Sequence, residues 1–275
     1  MGNKHSKLHH KSSKINVRSD GITSISDSSR PNTGSPINAN KSHRQLPKIK
    51  FRVLIVGRAD AGKTSILQRV CDTTDSPVVF RGNEEVQLDP SMDRGENSIE
   101  DELVFSNHDN YIFHDSCGFE AGSNDELAIV QEFIRQRSGQ RQLQDRLHAI
   151  WFCIPMDNQR PELDLRYFKD ICPDRNVPVI AVFTKYDQFL RNVKMHLEDY
   201  GHTDNVSDEA ERQFKEHYLR HLDDGVRFVR LEKMHRPETR CNALLEKTAE
   251  ALNEDVGTLM PSAAQRDLGP SINVA

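Results

Sequence analysis

Short apolar runs alternate with segments of helical spacing between residues 48 and 252. The runs have the length and composition of strands, and they cover residues 51–56, 102–105, 111–114, 147–154, 177–183 and 226–231. Helical spacing follows the first run and recurs at 127–134, 208–221 and 241–252. Such alternation is typical of an α/β protein. It predicts a mostly parallel six-stranded sheet with helices on both faces, in which the adjacent second and third runs allow one antiparallel edge.

The two ends of the chain lack this pattern. Residues 1–47 carry only scattered apolar residues, and they hold eight Lys or Arg residues against two acidic ones. Such a segment buries too little apolar surface to offset the entropy lost on ordering, so a disordered basic arm is predicted. Residues 253–275 contain Pro261, Gly269 and Pro270, and a flexible tail is predicted there. The expected organisation is one domain, residues 48–252, between two tails.

Composition and charge narrow the functional classes. The 275 residues are 36% hydrophobic and 29% charged, with a net charge of -5, which argues against wholesale nucleic-acid binding. The five cysteines lack the close spacing of a zinc site and indicate reduced thiols in a cytosolic protein. No apolar run approaches the roughly 20 residues of a membrane-spanning helix. A signal-peptide core is also missing, so a cytoplasmic location is expected.

A glycine-rich motif, G-R-A-D-A-G-K-T, occupies residues 57–64 directly after the first predicted strand. Its glycines allow the backbone to curl so that successive N–H groups converge on phosphate groups. Lys63 is expected to reach the β- and γ-phosphates, and the Thr64 hydroxyl is expected to bind Mg²⁺. The other phosphate-binding positions, at the N-terminus of the next helix, are Asp60, Ala61, Gly62 and Ser65. The motif predicts a nucleoside-phosphate site in which Lys63 and Thr64 also serve catalysis.

A second motif, D-S-C-G at residues 115–118, directly follows the strand predicted at 111–114. The carboxylate of Asp115 can hold Mg²⁺ through a water molecule, and the N–H of Gly118 can bond the γ-phosphate. Asp and Gly are common in ordinary turns, so the motif gains its meaning from its place at a strand end. Gly118 is therefore a candidate for both phosphate binding and catalysis.

A third motif, T-K-Y-D at residues 184–187, ends the strand predicted at 177–183. The Asp187 carboxylate can accept two hydrogen bonds from guanine, whereas adenine offers no such pair and would leave a buried charge unpaired. The stem of Lys185 can lie along the base, and Thr184 completes the predicted site. All three motifs fall at carboxyl ends of strands, where open α/β sheets bind ligands.

In this order, the three motifs resemble those of the translation-factor-related class of P-loop GTPases, over residues 48–252. The resemblance implies a three-layer, Ras-like fold that binds GTP or GDP with Mg²⁺ and has a switch region near the γ-phosphate. The start G-R-x-[N/D]-x-G-K is similar to that of bacterial Era-type GTPases. A hydrophobic residue after D-x-x-G, here Phe119, is shared with septins and immunity-associated GTPases.

Phe119 departs from the Ras pattern, since it stands where Ras-type proteins carry the Gln that orients the attacking water. Phe cannot bond water, so hydrolysis is expected to be slow, to use another group or to need a partner. Glu120 and His114 are nearby polar candidates. Asp60 stands where some Era-related enzymes hold a potassium ion through Asn.

The switch residue that completes the Mg²⁺ shell is not evident from the pattern. Ser98 is the preferred candidate, and Ser91, Thr73 and Thr74 remain open. The family's S-A-x element for guanine is not recognisable after the strand predicted at 226–231. Base specificity is therefore expected to depend mainly on Asp187.

The first residues, M-G-N-K-H-S, fit the pattern for N-myristoylation at Gly2. One myristoyl chain binds membrane only marginally, and the basic residues that follow can supply the second signal at an anionic surface. A peripheral location on the cytosolic face of a membrane is therefore a further expectation, with a solvated basic arm as the alternative.

Two functions from different classes fit the sequence. The first is a Mg²⁺-dependent GTPase switch with an unknown effector or activating protein, in which loops around 73–101 and 116–124 move. The second is a GTP-dependent assembly or scaffold module with negligible hydrolysis. An ATPase or small-molecule kinase is disfavoured because Asp187 then has no task. The septin-like and Era-like features also permit a homodimer.

Overall fold

A computed structural model of the chain describes residues 50–86, 98–116, 124–157, 161–173, 176–199 and 205–252. Both predicted tails lie outside these residues, as do Gly2, Ser91, Gly118, Phe119 and Glu120. The predicted arm and tail, and the roles assigned to those five residues, therefore stay predictions.

One mixed sheet organises the described part of the chain. Its strands are β1 Phe51–Gly57, β2 Val78–Arg81, β3 Glu84–Val86, β4 Glu102–Phe105, β5 His108–Asp115, β6 Ala149–Pro155, β7 Val179–Thr184 and β8 Arg227–Arg230, in the order β3-β2-β4-β5-β1-β6-β7-β8. The strands from β5 to β8 pair in parallel, and β3, β2 and β4 form an antiparallel edge. The predicted α/β class, with its antiparallel edge, is confirmed.

The prediction of six strands was wrong, since the sheet has eight within the described residues. The two additional strands, β2 and β3, form a hairpin at the antiparallel edge, inside the stretch that was expected to be a switch loop. They span only four and three residues, and β3 reads Glu-Glu-Val. A strand this short and polar gives no apolar run, which is why the pattern along the chain missed it.

Helices cover both faces of the sheet. They are α1 Lys63–Val70, α2 Asn124–Ser138, α3 Pro161–Asp170, α4 Tyr186–Asp199, α5 Val206–His217 and α6 Asn242–Ala251. The pattern predicted α1, α2, α5 and α6 but missed α3 and α4. Within the described ranges, every helix is too short or too polar to span a membrane.

The sheet separates two apolar cores. Alternate residues of β1 point to opposite faces, so that Val53 and Ile55 pack with α1 and α6 while Leu54 and Val56 pack with α2 to α5. All seven residues of β1 are buried. This central strand therefore ends at a fixed position between the two layers, and the glycine-rich motif starts at its last residue.

Candidate functional site

The glycine-rich motif forms a tight loop between β1 and α1. A Cβ atom on Gly57 would lie 2.8 Å from the carbonyl oxygen of Cys153 on the neighbouring strand β6, so a larger residue would displace the loop. Gly62 directly precedes α1 with a φ of 85°, a left-handed conformation that favours glycine. The backbone of the loop therefore favours glycine at these two positions of the motif.

Two residues of this loop have positive φ angles, and the N–H of Ala61 donates to the carbonyl oxygen of Arg58 at 3.2 Å. Asp60 has a φ of 60°, and with Gly62 it gives the alternation of conformations that forms anion-binding concavities. The first N–H groups of α1 have no acceptor within the helix, and no side chain caps them. Asp60, Ala61 and Gly62 lie in this loop and Ser65 lies in the first turn of α1, and their binding of phosphate stays a prediction.

Lys63 and Asp115 meet beneath this loop. The Lys63 ammonium donates to the carbonyl oxygens of Gly57 at 2.9 Å and Arg58 at 3.2 Å. Its Nζ lies 3.7 Å from Oδ1 of Asp115, at the end of β5. Burial raises the pKa of Asp115 to about 6, and the Lys63 charge opposes that rise. The structure thus brings together the first and second motifs, which lie on neighbouring strands.

The donor set suits magnesium held mainly by phosphate. Mg²⁺ usually takes one or two protein oxygens together with substrate phosphates and water. Thr64 is exposed in the first turn of α1, and Oδ1 of Asp115 is buried without a hydrogen-bond partner. Among the residues described, no three His, Cys, Asp or Glu side chains cluster as a metal cage. Thr64 and Asp115 therefore fit Mg²⁺ only if a bound phosphate supplies further ligands.

Ser98 is an exposed residue at the start of the turn of residues 98–101 before β4. Its Oγ accepts the N–H of Glu100 at 3.3 Å, and its described contacts stay within the turn of residues 98–101. The alternative Thr73 uses its hydroxyl to accept the N–H of Asp75 at 3.1 Å. Binding of Mg²⁺ by Ser98 stays a prediction.

His114 was a polar candidate for hydrolysis, but both of its ring nitrogens are engaged. They lie 2.9 Å from the carbonyl oxygen of Ile99 and 2.7 Å from NH1 of Arg52. The side chain is fully buried, and this burial, together with the nearby Arg52, lowers its pKa to about 3. His114 therefore does not offer a free nitrogen to a water molecule.

Asp187 lies in the first turn of α4 with its carboxylate 12% exposed. Its Oδ1 accepts the backbone N–H of Lys233 at 3.1 Å, and its Oδ2 accepts NH1 of Arg191 at 2.9 Å. Burial alone would raise the pKa of Asp187, but these two donors hold it below its usual value. The side chain is therefore an ionised acceptor, and each of its oxygens already accepts one hydrogen bond from the protein.

Lys185 and Thr184 complete the third motif. Lys185 has a φ of 55° and donates to Oδ2 of Asp157 at 2.6 Å, which fixes its stem beside the loop after β6. The hydroxyl of Thr184 is buried and has no hydrogen-bond partner. An unpaired buried hydroxyl at a strand end marks a place where a ligand or a water molecule can bond.

A cavity of about 110 Å³ connects the first and third motifs. It is lined by Gly62, Ser65, Ile66, Thr184, Lys185, Asp187, Lys233, Met234 and His235. The last three residues follow β8 and were missed by the sequence reasoning, which looked for S-A-x there. The rule that ligands bind at the carboxyl ends of strands would have found them.

A larger cavity, of about 420 Å³, lies at the amino ends of the strands, opposite the motifs. It is lined by residues that precede β6, β7 and β8, among them His148, Pro178 and Val226. None of the motif residues takes part in it. Cavity size alone therefore does not locate the functional site of this molecule.

Comparison with known proteins gives only distant matches. No protein-family model matches the chain, and no curated protein matches it. The G domain of the T. maritima FeoB iron transporter is 16% identical, covering 74% of this chain and 98% of its own, with a TM-score of 0.40. The septin GTPase domain from Chlamydomonas reinhardtii is 18% identical, covering 74% and 70%, with a TM-score of 0.39. The functional assignment therefore rests on this chain's own residues.

Proposed function

We propose that the chain is a guanine-nucleotide-binding protein that hydrolyses GTP with Mg²⁺ and acts as a molecular switch. The observation that carries the proposal is the single cavity shared by the phosphate-binding loop and Asp187. A phosphate site and a base site on one cavity define a nucleotide, and an ionised carboxylate at the base end selects guanine.

The phosphate end supplies electrostatic stabilisation. The N–H groups of residues 60–65 and the Lys63 ammonium surround the phosphates, where charge develops during phosphoryl transfer. Mg²⁺, bound through Thr64 and Asp115, would neutralise further charge on the β- and γ-phosphates. The N–H of Gly118 and the hydroxyl of Ser98 are assigned to the γ-phosphate side. These groups position and stabilise, and none of them accepts a proton from water.

Nucleotide affinity tests the proposal directly. GTP, GDP and ATP binding is measured with Mg²⁺ on the wild type and on Asp187→Asn. Wild type is expected to bind GTP and GDP at least about 100-fold more tightly than ATP, since losing two hydrogen bonds to a buried charge is costly. The variant should lose that preference and gain affinity for xanthosine nucleotides, because the Asn amide can donate to the additional xanthine carbonyl.

Asp199→Asn is the matched control, since Asp199 is an exposed acid in the last turn of the same helix. It should leave all affinities unchanged. Equal binding of ATP by the wild type would overturn the guanine assignment and support the ATPase or kinase alternative.

The main alternative is a GTP-dependent assembly or scaffold module with negligible hydrolysis. Phe119 favours it, because a phenyl ring cannot orient water. Single-turnover hydrolysis separates the two functions: a chemical step no faster than that of free GTP supports the scaffold. A measurable rate that rises on adding a partner protein supports a switch with an activating protein.

The N-terminal arm is assigned to a membrane surface. Gly2 would carry the acyl chain, and the basic residues of 1–47 would bind anionic lipid, so the protein would be cytoplasmic and peripheral on a membrane. Expression with an N-myristoyltransferase and flotation with anionic vesicles tests this. Gly2→Ala should abolish flotation, and equal flotation of both forms would leave only the basic arm. An effector or a second copy of the chain is an expected partner, and nucleic acid is not.

A further inference from the structure

His114 joins three parts of the fold from a fully buried position on β5. A guanidinium only donates hydrogen bonds, so the His114 Nε2 must accept from NH1 of Arg52, at 2.7 Å. The ring proton therefore lies on Nδ1, which donates to the carbonyl oxygen of Ile99 at 2.9 Å. The ring also packs on Phe133 of α2, with centroids 4.8 Å apart.

Arg52 fixes the ring in this orientation. Its guanidinium is on the central strand, and the residue is only 4% exposed. NH1 donates both to His114 and to Oε1 of Glu102 on β4, each at 2.7 Å. A buried cation requires such acceptors, so loss of one partner is costly. The histidine can therefore not rotate without leaving Arg52 short of an acceptor.

The turn of residues 98–101, called the Ser98 turn here, is held from two further sides. Asp101 is 2% exposed and accepts two bonds from Arg81 of β2, at 2.9 and 2.8 Å. Its Oδ2 also accepts the N–H of Ser98 at 3.1 Å. Glu100 pairs with Arg137 of α2 at 2.9 Å. The turn is thus tied to β2, β5 and α2.

These ties connect the two segments that the proposed function assigns to Mg²⁺ and the γ-phosphate. His114 directly precedes Asp115 in β5, and its acceptor Ile99 directly follows Ser98. Helix α2 follows the D-x-x-G segment in the chain and contacts the same network through Phe133 and Arg137. One buried ring therefore sets the distance between the two elements assigned to Mg²⁺ and the γ-phosphate.

We propose that His114, oriented by Arg52, is a positioning residue that holds the Ser98 turn in the place where it responds to the γ-phosphate. This inference rests on the proposed function. It gives the Arg52–His114–Ile99 connection a task beyond packing: it stabilises the GTP-bound arrangement more than the GDP-bound one.

The test compares the dissociation constants of a non-hydrolysable GTP analogue and of GDP, both with Mg²⁺. His114→Leu removes both bonds at similar volume, whereas His114→Asn keeps an amide donor near the Nδ1 position. His114→Leu should weaken binding of the analogue about tenfold, which is the scale of a lost buried hydrogen bond. It should weaken binding of GDP by less than about threefold. His114→Asn should restore much of the difference. A purely structural role would lower thermal stability and weaken both nucleotides equally.

Arg81→Gln provides a second variant that leaves the core intact, because the Arg81 side chain is 58% exposed. It releases Asp101 and should also weaken the analogue selectively. Arg135→Gln is the matched control, since Arg135 is exposed and bonds only Glu132 on its own helix among its described contacts. It should change neither affinity.

The outcomes separate this inference from the proposed function. A wild type that binds neither guanine nucleotide overturns both. A wild type that binds both nucleotides, with variants that keep the wild-type ratio of the two dissociation constants, overturns the positioning role alone. Selective weakening by His114→Leu or by Arg81→Gln, with His114→Asn closer to wild type, supports it.

Discussion

Single residues in this protein are specialised by their surroundings more than by their type. Asp115 and Asp187 are both carboxylates at strand ends, but their surroundings shift their pKa values in opposite directions. Burial raises the pKa of Asp115 to about 6, whereas two donors hold the pKa of Asp187 below its usual value. The Asp187 carboxylate therefore stays ionised to a lower pH than the Asp115 carboxylate. The ionised form of Asp115 is stabilised by the positive charge of Lys63, and a bound metal ion would stabilise it further.

His148 provides a test of acid stability at the residue scale. It is 3% exposed, its Nδ1 accepts the N–H of Arg52 at 2.8 Å, and burial lowers its pKa to about 4. Because the folded protein binds this proton less readily than the unfolded chain, stability is lost as the pH falls from about 6.5 to 4. His148→Asn keeps an acceptor for Arg52 without titrating there.

We expect His148→Asn to reduce the stability lost between pH 7 and pH 4.5 by about 1–3 kcal/mol. Urea unfolding at both values measures this. His217→Asn is the control, because His217 is an exposed residue at the end of α5 and should leave the pH dependence unchanged. An unchanged slope for His148→Asn would mean that other groups dominate acid unfolding.

At the scale of elements, sequence pattern predicted the buried strands and missed the short hairpin of β2 and β3 and the helices α3 and α4. β1, β6 and β7 are fully or nearly fully buried, and their continuous apolar residues predict them as strands. The hairpin of β2 and β3 depends on pairing with β4 and not on its own composition. α4 begins at Tyr186, inside the T-K-Y-D motif, so the motif and the first turn of the helix share residues.

Helix α6 is fixed to the sheet by one buried polar contact that the pattern could not show. The Trp151 Nε1 of β6 donates to the Thr248 Oγ1 at 3.0 Å, and the same hydroxyl donates to the carbonyl oxygen of Leu244 at 2.7 Å. Thr248→Val leaves the indole donor unpaired and should cost about 1–3 kcal/mol of unfolding free energy. Thr248→Ser should cost less, since it keeps the acceptor. Equal losses in the two variants would show that packing, not the hydrogen bond, holds the helix.

At the scale of the whole molecule, the parts of the candidate site that consist of short motifs could be predicted from the sequence. The parts formed by residues far apart in the sequence could not. The motifs that contain Lys63, Asp115 and Asp187 lie at strand ends, as expected because each follows a recognisable strand, and their ligand contacts stay predictions. The segment at Lys233–His235 lines the cavity and supplies the Lys233 N–H that Asp187 accepts, and no sequence motif marks it. The Arg52–His114–Ile99 connection joins residues that are 62 and 15 positions apart in the sequence, and they come together only in the folded sheet.

Ligand binding should stabilise the whole fold, because the proposed site draws on residues from β1 to the loop after β8. A ligand at about 100 times its dissociation constant adds about 2.7 kcal/mol to the unfolding free energy. Thermal unfolding of the full chain should therefore shift upward by several degrees with GDP and Mg²⁺, but not with ATP. Lys63→Ala should remove the shift, since it deletes the phosphate contact. If GDP and ATP gave equal shifts, binding would depend on the phosphates alone, and Asp187 would have no part in choosing the base.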